Sequence, residues 1–167
     1  MTVPPFSELI AATTGTAAHL ELRDAYTPDD PEFLDWKAGR PVSAPAGAAW
    51  YETVREHTAR GVSFRRARVV SEPLADYLRF EYESASFNVA AGEDVRWLPR
   101  HSAPGLLVPL CDFWVFDDKL VRFGLFAGDG TFLRHVTDDD PGVVQACNRA
   151  FAQVWERAVP HDQYGPS

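Results

Sequence analysis

One stretch constrains this chain more than any other: Gly61 to Tyr82, GVSFRRARVVSEPLADYLRFEY. Its β-branched and aromatic residues predict a strand closing on Val69-Val70. Ser71-Glu72-Pro73 then reads as a turn, and Pro73 opens a helix over 73–85, because its missing N–H has no partner in a first helical turn anyway. Upstream, AAWYETVREHTAR reads as a second helix over 47–60, with Trp50, Val54 and His57 at helical spacing and Gly61 as its stop. Helix, strand, helix is the minimal α/β unit, and ligands gather at strand carboxyl ends in such units. A strand covered on both faces is expected to be nearly all apolar. Here Arg66 and Arg68 project to one side of it, and Arg65 and Ala67 to the other.

A buried guanidinium needs water, a carboxylate or an anionic ligand beside it. The acids expected to answer are Glu72, Glu81, Glu93, Asp94, Asp112 and Asp117. If they do, Arg66 and Arg68 belong to an internal ion-pair network; if not, they mark an anion pocket. Asp112 shares a face with Trp114 and Phe116 and needs a cation or several donors, which Arg66 or Arg68 would supply. Glu93-Asp94 with Arg96 offers a similar pairing. The candidate ligand-binding set is therefore Arg66, Arg68, Glu72, Glu93, Arg96, Asp112 and Trp114. Trp97 and Trp114, both beside charged residues, are the tryptophans that suit a cleft wall; Trp50 and Trp155 fit buried helix stripes.

The rest of the chain supports one α/β domain over residues 1–167, with an α+β tendency. A short helix is expected over 4–13, then a half-exposed strand in AHLELR with its leucines inward. Asp30-Pro31 caps and opens a further helix carrying Phe33, Leu34 and Trp36. PVSAPAG, residues 41–47, reads as a flexible loop. After SFNVAAG, a short strand is expected over Glu93–Leu98. LLVPLCDFWVF, LVRFGLF and TFLRHV, joined by Asp117-Asp118-Lys119 and Gly128-Asp129-Gly130, predict a three-strand antiparallel meander. The last helix is capped by Asp140 and opened by Pro141, with Val144, Cys147, Phe151, Val154, Trp155 and Ala158 in one apolar stripe and Pro160 as its end. That stripe completes the core or seals a homodimer. The whole predicts a mixed sheet with helices on both faces.

Composition narrows the function classes. A formal net charge of −8 opposes general binding to nucleic acid, which needs a basic surface. No apolar run approaches the roughly 18 residues of a membrane span, and MTVPPFSELIAATTG lacks the basic start of a secretory signal. Cys111 and Cys147 read as buried thiols of a reducing compartment, so a cytoplasmic location is expected. His19, His57, His101, His135 and His161 show no metal-ligand spacing, and neither Gly-x-Ser-x-Gly nor a Walker-type loop occurs. No metal and no cofactor are expected.

Two resemblances add to this reading. RRARVVSEPLADYLRFEY, AGEDVRWLPR, DFWVFDD and FAQVWERAVP together resemble an uncharacterised family of actinobacterial proteins of about this length, often encoded beside helix-turn-helix regulators. The order of elements is also similar to one half of the phospholipase D-like fold in its regulatory, non-catalytic versions. The carriers are Arg60-Gly61-Val62 through Val70, Asp112 to Val136, and Phe151, Trp155, Ala158 and Pro160. Active members of that superfamily carry a His-x-Lys pair, and none of the five histidines here is followed by one. Without that nucleophile and phosphate clamp, covalent phosphoryl transfer has no actor. These resemblances imply a non-catalytic accessory or sensing protein that works with a helix-turn-helix regulator by binding protein or a small anion. Two alternatives stay open: an enzyme with a carboxylate–arginine site (Glu93, Asp94, Asp112, Arg68) acting on a phosphate-containing substrate, and one member of a toxin–antitoxin-like pair.

Overall fold

A computed structural model describes residues 3–27, 29–43 and 48–166. Among them run α1 (Phe6–Ala12), β1 (Thr16–Glu21), α2 (Pro31–Lys37), α3 (Ala48–Ala59), β2 (Ser63–Val70), α4 (Asp76–Ala91), β3 (Glu93–Pro99), β4 (Asp112–Phe116), β5 (Leu120–Phe126), β6 (Phe132–Asp138), α5 (Pro141–Arg157) and β7 (Val159–Pro160). The seven strands form one mixed sheet in the order β6-β5-β4-β1-β2-β3-β7. Strands β1, β2 and β3 are parallel, as helical crossovers demand. Strands β4, β5 and β6 form the antiparallel meander, joined to β1 through β4.

Helices cover both faces of this sheet. On one, Val144, Cys147, Phe151 and Val154 of α5 pack on Leu20, Ala67, Val69, Leu98, Phe113 and Val115. The stripe of α5 thus completes the core of its own chain. On the other, α1 and α3 cover Ala17, Phe64 and Phe116, while α4 covers Val70, Val95 and Trp97. The two apolar clusters on this second face are separate, and the polar side chains of β1, β2 and β3 lie between them.

Local signals set the element ends that the sequence predicts best. Asp30 accepts from the amides of Glu32 and Phe33, and Asp140 from those of Gly142 and Val143, so each helix begins at the following proline. Asp117 and Asp118 both adopt positive φ, which closes the tight β4–β5 turn.

Elsewhere, packing overrides local preference. Pro73 does not open α4. The amide and hydroxyl of Ser71 donate to Asp24 at 2.8 and 2.7 Å, Leu74 is drawn into the core, and the helix starts only at Asp76. It then runs through SFNVAAG to Ala91, because Ala85, Asn88 and Ala91 continue its buried side; Gly92, at φ 109°, ends it. Residues 106–111 are not strand, and β4 begins at Asp112. Nor does Pro160 simply end the last helix: α5 stops at Arg157, and Val159 and Pro160 pair with β3. Of the loop expected over 41–47, residues 44–47 lie outside the described residues.

Candidate functional site

The polar centre of the second face is built by register. His19 pairs with Arg66, and Glu21 with Arg68, across β1 and β2. Paired residues share a side of the sheet, so these four side chains point the same way. Phe64 pairs with Glu93, which brings that carboxylate to the same side from β3. On β4, Trp114 pairs with His19 and stacks on its ring, with centroids 4.2 Å apart.

The acids answer the arginines. Arg66 Nε donates to Glu93 Oε1 at 2.6 Å, and its Nη1 pairs with Glu21. Arg68 Nε lies 2.9 Å from Glu21 Oε2, and its Nη1 pairs with Glu81 of α4. Arg68 is thus at ion-pair distance from carboxylates on two different elements. Glu93 Oε2 also accepts from Asn88 at 2.7 Å and from the Trp50 indole at 3.2 Å, so with Arg66 on Oε1 both carboxylate oxygens are used. Two cations and three anions thus share a largely buried lattice.

The lattice sets its own protonation. Burial pushes the Glu21 carboxyl upward, but Arg68 and Arg66 outweigh it and hold its pKa down at about 2. Burial opposes charge on both arginines, yet their acids raise both pKa values. For His19, burial dominates, with Glu21 opposing, and lowers the ring to about 3, so it is a neutral imidazole against Trp114.

Two cavities open above this floor. One, of about 210 Å³, is lined by Trp50, Tyr51, Arg66, Arg68, Glu81 and Asn88 among others. The second, of about 320 Å³, is lined by Phe6, Trp50, Arg66, Trp114, Arg122 and His135. Trp50 and Arg66 belong to both.

The sequence matches a family described as a domain of unknown function (DUF6879) over residues 4–166. The chain belongs to the DUF6879 family. No curated protein matches it.

In this DUF6879 chain, four of the seven predicted site residues come together: Arg66, Arg68, Glu93 and Trp114. Arg96 does not join them. It pairs in register with Ala67, so it emerges on the α5 side, 4.2 Å above the Trp155 ring and 3.7 Å from Asp94. Glu93 and Asp94, adjacent on β3, therefore point to opposite faces. Glu72, beyond the end of β2, accepts from Tyr164 Oη at 2.6 Å, away from the arginines. Asp112 meets no arginine there either: it accepts from the Leu22 amide at 2.9 Å and from the Tyr26 hydroxyl. Burial raises its carboxyl to about 6 despite the Tyr26 bond, and Glu21 adds to the rise. Asp117 serves the α1–β1 loop, accepting from the amides of Gly15 and Thr16 at 2.7 and 2.8 Å. The four-residue set Glu93, Asp94, Asp112 and Arg68 is consequently not assembled in the DUF6879 fold. Trp97 is fully buried and donates to His161 at 3.2 Å, so it is core and not cleft wall.

Glu21, Tyr51, Asn88, Arg122 and His135 are site residues that sequence reasoning missed. Glu21 looks like the wet residue of an alternating strand, but β1 lies mid-sheet and both its faces are covered. The signal for Arg122 is present in LVRFGLF, a charged residue within an apolar strand. Among the described residues of this DUF6879 chain, no helix is long and apolar enough to cross a membrane.

Proposed function

We propose that this chain is a non-catalytic sensing or accessory protein: it binds a small anionic ligand in the cleft between its sheet and α1, α3 and α4, and acts with a helix-turn-helix regulator. One observation carries the reading. Two adjoining cavities lie above the fixed lattice in which Glu21, Glu81 and Glu93 hold Arg66 and Arg68, and the wall of the second carries buried Arg122, which has no carboxylate at ion-pair distance among the described residues. Charges locked in this way pre-organise a floor and walls, which favours recognition. Glu21, Arg66 and Arg68 are poorly placed to exchange protons with a substrate, because their pKa values lie far from neutrality. The similarity of element order to a non-catalytic phospholipase D-like half, and the resemblance to proteins encoded beside regulators, support the same role. A cytoplasmic location goes with it.

The test is recovery of the tagged full-length chain from its native cells, followed by mass identification. Co-purification of a helix-turn-helix regulator, reproduced with the two purified proteins, supports the reading. Failure of the purified pair to associate counts against it.

A second reading has one observation in its favour. Asp112, raised to about 6 and bonded to Tyr26, is a carboxyl poised close to neutral pH, as a general acid or base must be. Under this reading the chain is an enzyme acting on a phosphate-containing substrate. Turnover of phosphodiesters or nucleotides, lost in Asp112→Asn, would support it over the sensor.

A further inference from the structure

The 320 Å³ cavity holds a charged group of a different kind from Arg66 and Arg68. Arg122, on β5, is only 8% exposed, yet among the described residues no carboxylate lies within ion-pair distance of it. Its Nη2 sits 3.0 Å from His135 Nδ1. Since a guanidinium only donates, that nitrogen accepts, and the ring's proton stays on Nε2. Nε and Nη1 of Arg122 have no hydrogen-bond partner among the described residues. Burial pushes its pKa down, in keeping with a guanidinium that no nearby acid supports.

An unanswered buried guanidinium is costly, and a sequence free to avoid it would place a neutral residue here. The neighbouring walls say what it awaits. Trp114, Trp50 and Phe6 make the cavity aromatic, and Phe6 covers the guanidinium, its ring centroid 5.1 Å from Arg122 Cζ. Arg66, the other cation at the wall, already holds Glu21 and Glu93. Arg122 is therefore the one guanidinium of this wall with no carboxylate at ion-pair distance among the described residues, and a single unanswered guanidinium matches a monoanion better than a dianion. The volume is at the low end for small-molecule sites, enough for a single ring system with one acidic group.

We propose that this cavity is the binding site for a small aromatic carboxylate, with Arg122 as its anchor. The carboxylate pairs with the free N–H groups of Arg122, and its ring lies among Trp114, Trp50 and Phe6. Phe6, at the start of α1, turns aside to admit it. The proposal rests on the sensing reading and names its ligand class. Its failure leaves the regulator association untouched, because that assay reads the partner and not the cavity.

The experiment uses benzoate, with benzyl alcohol as a neutral match and inorganic phosphate as the rival anion, titrated by calorimetry and tryptophan fluorescence against the wild type and Arg122→Gln. Hydrogen bonds to a charged group predict benzoate binding tighter than benzyl alcohol by about tenfold or more, and a similar loss in Arg122→Gln. Benzyl alcohol also tests the idea in the unaltered protein, should the variant fail to fold. Equal affinity for benzoate and benzyl alcohol, undiminished benzoate binding by Arg122→Gln, no saturable benzoate binding, or a preference for phosphate would each overturn the proposal.

Discussion

Arg66 and Glu93 lie on adjacent parallel strands, and the guanidinium Nε donates to the carboxylate at 2.6 Å, where Glu93 is almost wholly buried. The relationship explains why a central strand tolerates arginine at all. Burying the guanidinium is tolerable because Glu93 and Glu21 both answer it, and Glu93 is in turn held by Arg66, Asn88 and Trp50.

Glu93→Ala should therefore unfold far more easily than its neighbour Asp94→Ala. The first takes from Arg66 one of its two carboxylates and leaves the Asn88 amide and the Trp50 indole without their acceptor, for a loss of about 3–5 kcal/mol. The second removes a half-exposed surface pair to Arg96 at 3.7 Å, a change of about 0–1 kcal/mol. Urea unfolding of the two variants checks the contrast, which follows solely from the faces that two consecutive residues occupy.

Asp112 makes stability depend on pH in an unusual direction for a carboxylate. Its folded pKa, about 6, lies above its ordinary value of 3.8. Between these values the folded state binds more protons, so this group's contribution weakens as pH rises through 6 and recovers as pH falls toward 4. Asp112→Asn should be at least as stable as the wild type at pH 7.5. Its advantage should shrink as pH falls to 5, where wild-type Asp112 is itself largely neutral. Melting temperatures of the two proteins across that range give the difference directly.

Asp117 anchors the start of β1 from the β4–β5 turn. Hydrogen bonds from the Thr14, Gly15 and Thr16 amides outweigh its slight burial and hold its pKa below the usual value. Asparagine tolerates the left-handed φ of 49° but offers one oxygen and no charge. Asp117→Asn should lose about 1 kcal/mol at pH 7. The deficit should narrow as the pH falls below the ordinary carboxylate range, because the wild type then loses the same charge; chemical unfolding at both pH values measures it.

Much of this fold is legible in the sequence, and the parts that are not share a cause. Asp30-Pro31 and Asp140-Pro141 are local signals whose physics is complete within four residues. The common side of Arg66 and Arg68 follows from strand period alone. Strand order is different: nothing near Glu21 says that β1 sits between β2 and β4, so its burial beside both arginines is invisible. Arg122 and His135 meet across the β5–β6 pair for the same reason. Local propensity misleads at Pro73 and at Ser86 to Gly92, where tertiary ties from Asp24 and the buried side of α4 decide the helix ends.

The account's central claim is that Arg66 and Arg68 are answered within the molecule while Arg122 awaits a ligand. Thermal unfolding of Arg68→Gln and Arg122→Gln, side by side and without ligand, tests it most directly. Arg68→Gln should melt lower by roughly 6 °C or more, since it leaves Glu21 and Glu81 under-compensated. Arg122→Gln should melt at or above the wild type, since it removes a buried charge that has no counter-ion among the described residues. The opposite order, with Arg68→Gln unaffected and Arg122→Gln strongly destabilised, would contradict the account.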